Sequence, residues 1–128
     1  QTTWYENPKG KDEPWEAHVV FDVTDNESPM FVDITGDKQP ELLCMSGGHL
    51  GYAEPDWTKA GEKWKWHPIS PKGGYQRFTH GIGYGDVNGD GRTDILESGG
   101  WWEQPASLAG DPVWKKHEAQ FGGGGAQM

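Results

Sequence analysis

Residues 86–94, DVNGDGRTD, carry oxygen-bearing side chains on alternating positions. Counting from Asp86, the side chains of Asp86, Asn88, Asp90 and Asp94 fall at positions 1, 3, 5 and 9. Gly91 stands at position 6, and Arg92, at 7, offers its backbone carbonyl. A hard cation takes six to eight oxygens, and only a tightly curled loop aims alternate residues at one point. The spacing therefore predicts a calcium loop. The plainer reading is a metal-free surface turn rich in Asn, Asp and Gly. Three acids and one amide in phase, with Gly at the sharp bend, favour calcium.

A second stretch copies the phase. In DITGDKQPELL, Asp33, Thr35, Asp37, Gln39 and Glu41 match the ligand positions of DVNGDGRTDIL. Here Lys38 replaces the turn Gly, Pro40 enters, and Thr35 and Glu41 replace Asn and Asp. Lys38 also brings a positive charge, so readings with and without metal both stay open for this loop.

Two further phrases show that the loops belong to a repeat. WYENP, GYAEP and WWEQP begin at residues 4, 51 and 101, and WEAH, WKWH and WKKH end at His18, His67 and His117. The histidines are 49 and 50 residues apart, which sets a period of about fifty. Two complete units are expected, at 28–68 and 79–118, with the end of one unit over 1–27 and the start of another over 119–128.

Within a unit, short apolar runs such as Leu42–Met45 and Ile95–Leu96 are bounded by Gly, Pro, Asn and Asp, as in strands joined by turns. Residues 16–23, EAHVVFDV, read as strand, and no helical stripe of useful length occurs. The chain is predicted to be all-β. An EF-hand is excluded, because it needs a helix on each side of its loop. HGIGYG precedes Asp86, and its three glycines disfavour a helix. The loop must join two strands. Glu97, at position 12, is then a weak ligand candidate and is expected to face solvent.

The 128 residues suit one ordinary domain, with 11 basic and 20 acidic residues and a net charge of −9. Such a surface argues against nucleic acid and anionic membranes as partners. No apolar run approaches the length of a transmembrane helix, so no membrane insertion is expected. The lone Cys44 excludes an internal disulfide and reads as a small buried residue. Twenty glycines imply many turns, and eight tryptophans must serve packing or a binding face. Trp recurs at fixed repeat positions, so the spaces between repeat units are its expected place. A carbohydrate-stacking role for Trp64 with Trp66, or for Trp101 with Trp102, is the alternative.

Other chemistry is sparse. His18, His67 and His117 recur in the repeat and are expected to be structural. Glu6, Glu54 and Glu103 recur as well, and are expected to bond neighbouring backbone amides. His49 and His80 break the repeat, and repeat-breaking loop residues are where function tends to be grafted. They are the candidate catalytic or metal-binding histidines, against a plainer reading as solvated loop residues. No nucleophile elbow, phosphate loop, zinc-finger spacing or HExxH occurs.

GYGDVNGDGRTDIL resembles the FG-GAP or VCBS-type repeat of integrin α-chain heads and many secreted bacterial proteins. That resemblance implies β-propeller blades of four antiparallel strands, with calcium held by Asp86, Asn88, Asp90, Arg92 through its carbonyl, and Asp94. The aromatic–Glu–Pro and Trp–x–x–His phrases are similar, more weakly, to the propeller of aldos-2-ulose dehydratase and its relatives. That likeness implies a metal-dependent sugar lyase as the alternative function. The leading expectation is a calcium-binding scaffold for a carbohydrate or protein ligand, secreted or periplasmic. Propellers close with four to eight blades, so the chain is expected to be part of a longer propeller. Its partners would be the remaining blades or, less simply, further copies of itself.

Overall fold

A computed structural model describes residues 1–76 and 78–123. Among them are ten strands and no helix: β1 (Thr2–Glu6), β2 (Glu16–Phe21), β3 (Met30–Val32), β4 (Glu41–Ser46), β5 (His49–Glu54), β6 (Lys65–Pro68), β7 (Ile82–Gly85), β8 (Asp94–Glu97), β9 (Gly100–Glu103) and β10 (Lys115–Glu118). All pairing is antiparallel. β1 and β2 form a two-stranded sheet, β3–β4–β5–β6 a four-stranded meander, and β7–β8–β9–β10 a second meander. The all-β expectation holds. The further unit expected from residue 119 shows no strand over 119–123, and 124–128 lie outside the described residues.

Side-chain alternation decides how the sheets stack. Leu42 and Cys44 of β4, Ala53 of β5 and Trp64 pack with Val20 of β2. Leu43 and Met45 of β4, with Leu50 and Tyr52 of β5, pack instead with Ile82, Ile95 and Trp102 of the third sheet and with Trp114 just before β10. Successive residues point to opposite faces of a strand, so β4 is buried on both sides and reads as an unbroken apolar run. The middle sheet is therefore covered by one sheet on each face. Burial pushes the Cys44 thiol up to about 12, which leaves it an inert packing group.

The Trp–x–x–His phrase ties each sheet to the one before it. The Trp64 amide donates to the Val20 carbonyl at 2.8 Å, and the Trp114 amide to the Ile69 carbonyl at 2.9 Å. Both side chains are buried at those junctions, with 7% and 3% of their surface exposed. Trp15, the counterpart in the first unit, is 55% exposed. Tyr5 and Val19 stand exposed on the same sheet.

Glycine is required just before Tyr52 and Trp101. A Cβ on Gly100 would lie 2.2 Å from the His117 carbonyl oxygen, and one on Gly51 2.5 Å from that of His67. The first unit has Thr3 here, and its register slips between Thr2 and Thr3. The hairpin joining β4 to β5 is also longer than its counterpart, with six-residue strands against four in β8 and β9. From the sequence alone the difference reads as a two-residue insertion, His49–Leu50. In the structure both strands share it, and His49 lies at the tip.

Candidate metal loops

The loops at 33–41 and 86–94 join β3 to β4 and β7 to β8, and they are curled by the same four backbone bonds. Asp33 Oδ1 accepts from the Gly36 amide at 2.7 Å, and Asp86 Oδ1 from that of Gly89 at 2.7 Å. Asp33 Oδ2 accepts from Lys38 at 2.9 Å, and Asp86 Oδ2 from Gly91 at 2.8 Å. Asp37 and Asp90 each accept an amide two residues on, at 2.8 Å. Glu41 Oε2 reaches back to the Ile34 amide at 2.7 Å, and Asp94 Oδ2 to that of Val87 at 2.8 Å. The first Asp thus organises the bend and the last acid clamps the loop to its strand. These bonds hold Asp86 below the usual carboxylate range, the Gly91 amide contributing most.

The bend needs left-handed backbone at two points: Gly36 and Lys38 in one loop, at φ 84° and 70°, and Gly89 and Gly91 in the other, at φ 77° and 84°. Lys38 takes a conformation that costs a residue with a Cβ roughly 1–2 kcal/mol.

Side chains make the loops differ. Carboxylate oxygens of Asp33, Asp37 and Glu41 lie within 4.8 Å of one another, as the ligands of one ion must. Burial raises the Glu41 pKa, against amide bonds that lower it. Thr35 spends its hydroxyl on Glu41 Oε1 at 3.0 Å, and the Gln39 side chain makes no hydrogen bond among the described residues. Asp86, Asp90 and Asp94 form no such group. Arg92 Nη2 instead sits 2.6 Å from Asp90 Oδ2, and its Nε donates to the Gln104 carbonyl at 3.1 Å. Asn88 accepts from the Asp90 amide and donates to Glu103 at 3.2 Å. The loop with the better ligand spelling carries its own counter-cation.

Gln104 is a residue that sequence reasoning missed. It is buried, its amide nitrogen donates to Asp94 Oδ1 at 3.0 Å, and its side chain donates to the carbonyls of Ile34 and Thr93. Ile34 belongs to the neighbouring loop, so one side chain braces both. Its counterparts after the repeated Glu are Asn7 and Pro55, and that departure from the repeat was the available signal.

The repeated aromatic, Glu and His residues meet across each terminal hairpin. His18, His67 and His117 oppose Trp4, Tyr52 and Trp101 and stack on them, with ring centroids 5.3, 4.8 and 4.1 Å apart. Glu6, Glu54 and Glu103 do not bond backbone amides, as their recurrence had suggested. They face the histidine Nε2 atoms at 3.3, 3.9 and 2.6 Å. Two-residue periodicity puts the Glu and the stacked aromatic on one face, beside the His.

His49 and His80 go separate ways. His49 Nδ1 meets the Ser70 carbonyl at 3.0 Å, and His80 Nδ1 lies 3.3 Å from Glu27. Neither joins a metal-competent group among the described residues. His80 does border a cleft of about 460 Å³ with Tyr75, Glu97, Trp102 and Lys116. Glu97, expected to face solvent, is buried there. It accepts from the Tyr75 hydroxyl at 2.5 Å and pairs with Lys116 at 2.8 Å, because it shares a strand face with buried Ile95. Burial and this carboxylate push the Tyr75 hydroxyl far up, and Glu97 raises Lys116. Tyr75 and Lys116 both stay protonated at neutral pH and line the cleft as hydrogen-bond donors to Glu97. No protein-family model, no curated protein and no solved structure matches this chain.

Proposed function

We propose that this chain is a calcium-stabilised run of β-propeller blades in a secreted protein, serving as a scaffold for a carbohydrate or protein ligand. The observation that carries the reading is the pair of loops curled by four matched backbone bonds, one of them with three carboxylates gathered within 4.8 Å. Asp33, Asp37 and Glu41 would hold an ion in the first loop; Asp86, Asn88, Asp90, Asp94 and the Arg92 carbonyl would hold one in the second. The ion would neutralise acids that otherwise repel and would pin each loop between its strands. Affinity of about 10⁻⁴–10⁻³ M would suit a calcium-rich exterior.

The flanking blades are supported by Trp15. Its counterparts are covered by a preceding sheet, and the simplest cover for Trp15, Tyr5 and Val19 is another sheet of the same repeat. The test is calorimetric titration with calcium on the wild type, Asp37→Ala and Asp90→Ala, with melting curves alongside. Saturable binding that raises the melting temperature is expected. Asp37→Ala should remove the larger part and Asp90→Ala the smaller. A folded chain that takes up no calcium at millimolar concentration would overturn the proposal.

A further inference from the structure

The three histidine hairpins share one plan, and, apart from Thr3 and its register slip, the first departs from it opposite the repeated Glu. Opposite Glu54 stands Lys65, and opposite Glu103 stands Lys115, so each of these acids has a basic residue as its register partner. Opposite Glu6 stands Glu16. Like charges directly opposite on antiparallel strands are destabilising. Here the pair also flanks an imidazole: His18 Nε2 lies 3.3 Å from Glu6 Oε2 and 3.9 Å from Glu16 Oε1. The three ligand atoms all fall within 4.8 Å of one another.

His18 is held so that this nitrogen faces the acids. Its ring stacks on Trp4, and its opposite edge abuts Gly61, where a Cβ would come 2.7 Å from Nδ1. Glu6 and Glu16 border a cleft with Asn7, Lys9, Lys11 and Glu13, which leaves one side of the group open to solvent.

We propose that Glu6, Glu16 and His18 form a binding site for a divalent transition-metal ion of the zinc type. Imidazole with carboxylates suits zinc, whereas calcium takes oxygen alone. Metal–ligand bonds of about 2.0–2.2 Å in a tetrahedral site place ligand atoms roughly 3.3–3.6 Å apart, close to the spacing already present. Three protein ligands then leave the fourth position to water from the cleft. The ion would bring positive charge to a hairpin that has Glu16 where the other two have Lys65 and Lys115. This site is independent of the calcium loops and does not rest on them.

The probe is Co²⁺ alone, added to the full chain in excess calcium and followed by its visible absorption, with Zn²⁺ as competitor. One Co²⁺ per chain is expected, with a spectrum of low-symmetry nitrogen and oxygen coordination that Zn²⁺ abolishes. Glu16→Lys, which installs the residue of the other two hairpins, should weaken Co²⁺ at least about tenfold. Its melting temperature in chelator should match or exceed that of the wild type. Glu6→Gln should weaken Co²⁺ similarly, and Asp37→Ala should leave it unchanged. A folded wild type that binds no Co²⁺, or variants Glu16→Lys and Glu6→Gln that bind it as tightly as the wild type, would overturn the proposal.

Discussion

The loops at 33–41 and 86–94 have one backbone and two electrostatic outcomes. Each is bent by its first Asp and clamped by its last acid through bonds of nearly equal length. The loop with irregular spelling gathers three carboxylates, while the loop with regular spelling folds Arg92 onto Asp90. Ligand spacing therefore specifies the curl, because the same oxygens that would bind an ion also accept the loop's own amides. Neighbouring charge decides how much attraction is left for the ion.

Breaking the shared part should have the largest effect. Asp94 is fully buried and accepts from the amides of Val87 and Gln104. Removing its carboxylate strands two donors at about 1–3 kcal/mol each. Asp94→Ala should therefore lower unfolding free energy in urea by about 2–4 kcal/mol. Glu41→Ala should cost a comparable amount, and if either proves neutral the clamp is not what shapes the loop.

Substitutions where the loops differ should act more weakly. Lys38 occupies the left-handed position that Gly91 fills in the other loop. Lys38→Gly should stabilise the chain by roughly 0.5–1 kcal/mol, the relief of Cβ strain less the added freedom of the unfolded chain. A loss of stability would mean that the Lys38 side chain contributes more than the strain costs. Smallest of all, Arg92→Gln should free Asp90 and raise calcium affinity at 86–94 by roughly two- to fivefold, the scale of an exposed ion pair. Unchanged affinity there would show that the guanidinium leaves the site without cost, and that charge does not distinguish the loops.

Much of this arrangement is legible in the sequence. The loop phase and the recurring Trp–x–x–His phrase locate strand ends, and short apolar runs between the acidic loop and a Gly pair locate β4 and β8. Glu97 was legible too: it lies two residues from Ile95, so alternation alone turns it inward. The meeting of Glu103 with His117 was not legible, because it depends on hairpin register, and neither was Arg92 turning back onto Asp90. Tyr75 and Lys116 reach Glu97 from distant parts of the chain, and no local pattern announces such a meeting.

Coverage of β4 and β5 from both sides sets the order in which the molecule loosens. An inner sheet can open only by parting two interfaces, an outer one by parting one, as in any linear array of repeats. Amide protons of β4 and β5 should accordingly be the slowest to exchange with solvent, and those of β1 and β2, beside the bare Trp15 face, among the fastest. Docking another sheet on that face would slow exchange in β1 and β2 and leave the middle nearly as it was.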